Sequence, residues 1–202
     1  MDCAFAIQGN DFILLASDRS VMYSILKLQD TDDKILRLSE NQLLAACGEI
    51  YDRKNFSKLV KANMEYYYHI NGNRLNTSET AAYTRDLLAK GIRSNPYQCN
   101  VLIAGYDIEG PKLYWLDYLG SMQQVTKGAH GYGAHFLYGL MDNVYKKDMT
   151  YQEGEDCIRK CIHELKTRFL VNMVTFSVYK ISKSGIEDVS AKFNFNINNN
   201  TQ

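Results

Sequence analysis

Hydrophobic and polar positions along this chain fall into blocks of two different periods. At the start, Cys3, Phe5 and Ile7 alternate with smaller or polar neighbours. Gly9-Asn10-Asp11 supplies turn chemistry, and Phe12-Ile13-Leu14-Leu15-Ala16 is an unbroken apolar run closed by Ser17-Asp18-Arg19. The pattern predicts a strand hairpin beginning with the first residues. A short apolar run rich in branched residues fits a strand covered on both faces. Further strands are predicted over 25–28, 34–38 and 42–47. Helical spacing then takes over: Phe56, Leu59, Val60, Met64 and Tyr67 share one face of a helix over about 52–69, stopped by Asn71-Gly72. Asn76 with Glu79 three residues on forms a capping box for a second helix running to about residue 93.

The same alternation of blocks repeats. Strands are predicted over 98–106, 112–118 and 123–126, then helices over 133–145 and from 151 to 169. The last has Thr150 and Glu153 as its capping box and Ile158, Cys161, Ile162, Leu165 and Phe169 as its apolar face. Val174, Phe176, Val178 and Ile181 alternate in a strand that turns at Lys183-Ser184-Gly185 and returns over 186–189. Two mostly antiparallel sheets face to face, each covered outside by a helix pair, would bury both faces of the central strands. This is an α+β, four-layer αββα sandwich. Residues 1–193 read as one domain and 194–202 as a flexible Asn-rich tail.

Composition narrows the function classes. In 202 residues, 46% are hydrophobic, enough for a sizeable core, and two prolines leave no linker signature. Lys plus Arg and Asp plus Glu number 23 each, so no basic stripe recommends nucleic acid. Five cysteines without framework spacing point to reduced thiols in the cytoplasm or nucleus, and neither a secretory leader nor a membrane-length apolar span is expected. Fifteen tyrosines, Tyr66-Tyr67-Tyr68 among them, exceed what one core can satisfy and tilt toward protein interfaces.

A set of landmarks in order carries a resemblance over essentially the whole chain. They are Phe12 to Arg19, Asp33-Lys34-Ile35, Cys47-Gly48-Glu49-Ile50-Tyr51-Asp52, Leu102-Ile103-Ala104-Gly105-Tyr106-Asp107, Gly131-Tyr132-Gly133-Ala134, and Arg168-Phe169 leading into Thr175-Phe176-Ser177-Val178. Together they resemble a proteasome core particle β subunit. Ile7-Gln8-Gly9, Ala16-Ser17-Asp18-Arg19 and His130-Gly131-Tyr132-Gly133-Ala134 bring the chain nearest the non-catalytic beta type-2 branch, the fourth position of the β ring. The resemblance implies the N-terminal nucleophile hydrolase fold. In active members a leading threonine, activated by its own amine, attacks the peptide bond, helped by an Asp, a Lys, and a later Ser and Asp.

Carried onto this chain, the resemblance implies an absent catalytic set. Counting back from Arg19, the nucleophile's place falls on Met1, with no leader before it, and a thioether is no nucleophile. Ser17 stands where the first Asp is expected, Asp18 on the opposite face of its strand, and Phe169, Asn172 and Tyr132 at the later helper positions. Lys34 alone survives, read as a strand lysine paired with Asp32, Asp33 or a neighbour. No catalytic, cofactor-binding or metal residue is therefore assigned. Cys157, Cys161 and His163 lack a fourth ligand and a common direction. His130 and His135 read as polar cap or interface residues, and Gly131-Tyr132-Gly133 as a close approach of a helix start to a sheet.

The expectation is a non-catalytic structural subunit that builds the β ring and chamber wall for ubiquitin-linked protein degradation. Its implied partners are neighbouring β subunits, β subunits of the opposing ring, α-ring subunits and assembly chaperones, with no nucleic acid, membrane or cofactor. Two alternatives stay open: an active peptidase of the same fold using Cys3 or a processed end, and an unrelated soluble α/β binding module.

Overall fold

The computed structural model describes residues 2–24 and 26–194. In chain order the elements are β1 (Cys3–Gln8), β2 (Phe12–Asp18), β3 (Val21–Tyr23), β4 (Leu26–Gln29), β5 (Ile35–Arg37), β6 (Gln42–Gly48), α1 (Ile50–Asn71) and α2 (Thr77–Gly91). These are followed by β7 (Cys99–Asp107), β8 (Gly110–Leu116), β9 (Met122–Val125), β10 (Lys127–Gly131), α3 (Ala134–Val144), α4 (Tyr151–Arg168), β11 (Phe176–Ser182) and β12 (Gly185–Asp188).

Strand alternation builds the layers. One five-stranded sheet runs β10-β1-β2-β11-β12 and the other β5-β6-β7-β8-β9, with every pairing antiparallel. On β1 and β2, Cys3, Phe5, Ile7, Phe12 and Leu14 point outward and pack with Leu137, Met141, Ile158, Cys161 and Leu165 of α3 and α4. Their neighbours Ala4, Ala6, Ile13 and Leu15 point inward, against Leu43, Ala45, Leu102 and Ala104 of the second sheet. The outer face of that sheet, with Leu44, Val101 and Ile103, is covered by Phe56, Val60, Ala81 and Leu88 of α1 and α2. One strand thus serves two cores through its period of two, and the expected four-layer αββα sandwich follows.

The helix ends lie where their chemistry places them. Asn76 and Thr150 each complete a capping box with Glu79 and Glu153, worth about 1 kcal/mol apiece. Gly72, at φ 72°, ends α1 in the left-handed conformation that a residue without a Cβ adopts cheaply.

Some expectations change. Leu59 is exposed rather than on the packed face of α1, and α2 stops at Gly91. Two strands were not predicted. β10 reads as loop because Gly128, Ala129 and Gly131 have little strand propensity. It forms because its ladder with β1, Cys3 opposite Gly131 through Ile7 opposite Lys127, is available. β3 pairs with β4 in a separate two-stranded ribbon whose Tyr23, Leu26 and Leu28 are each more than 60% exposed. Asn194, assigned to the tail, is instead tied down: its Oδ1 accepts from Phe176 N and its Nδ2 donates to Phe176 O, both at 2.8 Å. The remainder of that predicted tail lies outside the described residues.

Candidate functional site

At the end of the two sheets where β1 begins, strand and helix termini deliver charged side chains into a buried cluster. Lys34, immediately before β5, places its Nζ 2.6 Å from Asp18 Oδ2 and 3.0 Å from Asp2 Oδ1, and donates to Ser20 O at 2.8 Å. Asp18, the last residue of β2, accepts from Cys3 N at 2.7 Å and Ser20 N at 2.9 Å. The other oxygen of Asp2 accepts from Gly48 N at 3.2 Å and lies 3.4 Å from Arg53 Nε on α1. Arg53 continues to Asp32 at 2.9 Å, and Asp32 to Lys54 at 2.9 Å. Three carboxylates thus meet three cations.

Two glycines let backbone approach this cluster. A Cβ on Gly131, at φ 84°, would stand 1.9 Å from Asp2 O, and one on Gly48, at φ 145°, 2.1 Å from Gln98 O. Gly133 is as tight, 2.4 Å from Cys3 Sγ, so the Gly131-Tyr132-Gly133 turn is indeed where a helix start meets a sheet.

Burial governs the electrostatics. It raises the Asp18 carboxyl pKa, and Lys34 opposes this without cancelling it. Burial acts to lower Lys34, but Asp18 and Asp2 together outweigh it and hold the ammonium above its ordinary value. The Cys3 thiol is pushed well up, by burial first and then by Asp18. A fully buried thiol held in its protonated form is a poor nucleophile.

Several sequence-derived placements are corrected. Lys34 pairs with Asp18 and Asp2, not with Asp32 or Asp33; Asp33 instead accepts from Tyr179 and Ile35 N. Asp18 is not carried away from Lys34: it is the last residue of β2, still paired with Phe176, and its carboxylate accepts from the amides of Cys3 and Ser20 while meeting the Lys34 ammonium. Ser17 keeps the inward direction and is fully buried. Met1, which counting from Arg19 sets at the nucleophile's place, lies outside the described residues; the side chain that meets Lys34 is that of Asp2. Phe169 packs edge-on against Phe136, and Asn172 and Tyr132 are exposed.

Asp2 and Arg53 went unnoticed in the sequence. Arg53 had a signal, since it lies three residues before Phe56 on the buried face of α1. Asp2 had a weaker one, an acid abutting a strand buried on both faces.

The other candidates disperse. Cys157 and Cys161 are buried in the layer between the first sheet and α3 and α4, while His163 is exposed. His130 is buried and joins the sheets: its Nε2 lies 3.1 Å from Val101 O and its ring stacks on Trp115 at 4.8 Å. Burial depresses its pKa from 6.5 to about 4. Because the folded value lies below the unfolded one, this contribution is present above about pH 6.5 and is lost as the pH falls toward 4. The loss amounts to about 3 kcal/mol. In urea titrations at several pH values, His130→Gln should remove that much from the fall in stability between pH 7 and pH 4.

Above Asp2 opens a cleft of about 600 Å³, lined by Gly48, Glu49, Gln98, Asn100, Tyr132 and His135. It leads from solvent to the buried carboxylate.

Comparison with known proteins matches residues 2–181 to the family model described as Proteasome subunit. Proteasome subunit beta type-2-A of Arabidopsis thaliana is 40% identical over 189 residues, 93% of each chain. Proteasome subunit beta type-2 of Oryza sativa subsp. japonica is 37% identical over 193 residues, 95% of this chain and 91% of the relative. Proteasome subunit beta type-4 of Saccharomyces cerevisiae is 38% identical over 192 residues, 94% of this chain and 97% of the relative. The reading as an unrelated binding module falls with these matches.

Proposed function

The chain belongs to the proteasome subunit family, as a β subunit of the core particle, and from that premise we propose that its work is architectural and not catalytic. The observation that carries this reading is the 3.0 Å ion pair between Asp2 and Lys34. By the resemblance, the lysine of an active member acts on a leading hydroxyl. Here it meets a carboxylate, which offers no hydroxyl for the lysine to activate and whose two oxygens are engaged by Lys34 and the Gly48 amide. The position facing the lysine is thus held by Asp2, next to the Met1 reached by counting. Asp18 and Lys34 remain as a structural pair. No catalytic, cofactor or metal residue is assigned.

Use of Cys3 as the nucleophile is disfavoured by its burial and its raised thiol pKa, and its amide nitrogen is committed to Asp18. The family match over residues 2–181 supports one proteasome β-type domain over residues 1–193. Family membership implies assembly with other proteasome subunits. The finer assignments are adjacent β subunits, the opposing β ring, the α ring and assembly chaperones, with work in the cytoplasm and nucleus. No helix among the described residues is long and apolar enough to cross a membrane.

An electrophilic probe for amino-terminal nucleophiles, applied to intact core particles, should label other β subunits and leave this chain unmarked. Mass-spectrometric detection of the adduct on this chain would reverse the assignment.

A further inference from the structure

The contacts of Asp2 are those of a bound anion. One oxygen faces the Lys34 ammonium at 3.0 Å; the other receives the Gly48 amide at 3.2 Å and lies 3.4 Å from Arg53 Nε. Two cations and a backbone N–H converge on one carboxylate, the Gly48 amide as a hydrogen-bond donor and Arg53 Nε by charge without a hydrogen bond, the surroundings expected of a site for a small monoanion. Lys34 and Arg53 are each about 3% exposed, so neither relies on solvent for its neutralisation.

Charge accounting strengthens the point. With Asp2 present, the cations Lys34, Arg53 and Lys54 balance Asp2, Asp18 and Asp32. Without it, Asp18 and Asp32 remain against three cations: Lys34 keeps Asp18, and Arg53 is left to share Asp32 with the half-exposed Lys54, so the buried Arg53 and the Gly48 amide lose the carboxylate they face. That state is costly unless another anion enters. Glu49, the nearest further carboxylate lining the cleft, is committed to capping α1 through Tyr51 N and Asp52 N. The entrance exists, since Asp2 itself forms the floor of the cleft.

The geometry points to Asp2 as a tethered ligand: it fills a carboxylate-binding cradle made by Lys34, Arg53 and the Gly48 amide, and so closes the cleft to free anions such as the carboxyl end of a peptide. This deepens the proposed function, resting on it only for the location of the site. It assigns residue 2 a task beyond lacking a hydroxyl, which is to neutralise the cradle and bar an outside carboxylate from the same donors.

The test uses assembled core particles carrying Asp2→Gly, crystallised and soaked in sodium bromide beside wild-type particles. The variant should show an anomalous bromide peak within hydrogen-bonding distance of Lys34 Nζ, Arg53 Nε and Gly48 N, and the wild type none. If glycine at position 2 allows removal of Met1, the ammonium exposed there adds positive charge and the expectation stands; intact mass distinguishes the forms. An empty cradle in the variant with Lys34 and Arg53 in place overturns the proposal, and so does an equal peak in the wild type.

Should Asp2→Gly chains fail to enter particles, Asp2→Asn and Asp2→Asn/Arg53→Gln decide, because Asp18 then keeps Lys34 and Asp32 keeps Lys54. Loss of incorporation in the first, regained in the second by cancelling the surplus charge, supports the counter-ion role; any other pattern refutes it. Bromide reports nothing about hydrolysis, so failure here leaves the probe-labelling result untouched, and a labelled chain would not by itself produce or remove the peak.

Discussion

Replacing Lys34 with alanine should destabilise the folded chain by about 3–5 kcal/mol, the range for removing one partner of a buried ion pair. The ammonium is in contact with two carboxylates, Asp18 at 2.6 Å and Asp2 at 3.0 Å, and all three side chains are largely or wholly removed from water. Arg53 still touches Asp2 in the variant, but Asp18 keeps only the amides of Cys3 and Ser20. Urea denaturation of the purified chain reads the loss as a lower midpoint at unchanged slope. The triple variant Lys34→Met, Asp2→Asn, Asp18→Asn should recover most of it, because a neutral cluster leaves no carboxylate uncompensated. A Lys34→Ala chain within about 1 kcal/mol of wild type would mean that the cluster is solvated, contrary to the burial described above.

Gly131→Ala is expected to be nearly as damaging, by about 3 kcal/mol or more, through sterics rather than charge. The new Cβ would sit 1.9 Å from the carbonyl oxygen and 2.7 Å from the carbonyl carbon of Asp2, where nothing flexible can give way. The strands β1 and β10 would have to part at the point where Cys3 faces Gly131, moving Asp2 away from Lys34. Gly72→Ala is the matched control. It shares a positive φ but has open space around the added carbon, so it should cost only the conformational strain of about 1 kcal/mol. Equal midpoints for the two variants in the same urea titration would show that the close approach at Gly131 is relieved by movement elsewhere.

The layers were readable in the sequence because most elements carry a strong period. β2, β7 and α4 announce themselves through apolar runs or a capped stripe, and the resemblance set them in order. The site was less legible for a specific reason. Counting by strand period put Ser17 and Asp18 on opposite faces, but the Asp18 carboxylate, at the last residue of its strand, still meets the Lys34 ammonium. Lys34 was recognised by its position in the chain, while its partners come from residues 16 and 32 positions away, a distance no local pattern spans. β10 was missed because its small residues are chosen for closeness to Leu102, Trp115 and the start of β1, not for strand propensity.

The ribbon of β3 and β4 sets a term on solitary life. Its leucines and tyrosine present oily surface and bare ladder edges that water covers poorly, the combination that invites clumping. A copy in which the ribbon stays uncovered carries that hazard for as long as it remains so.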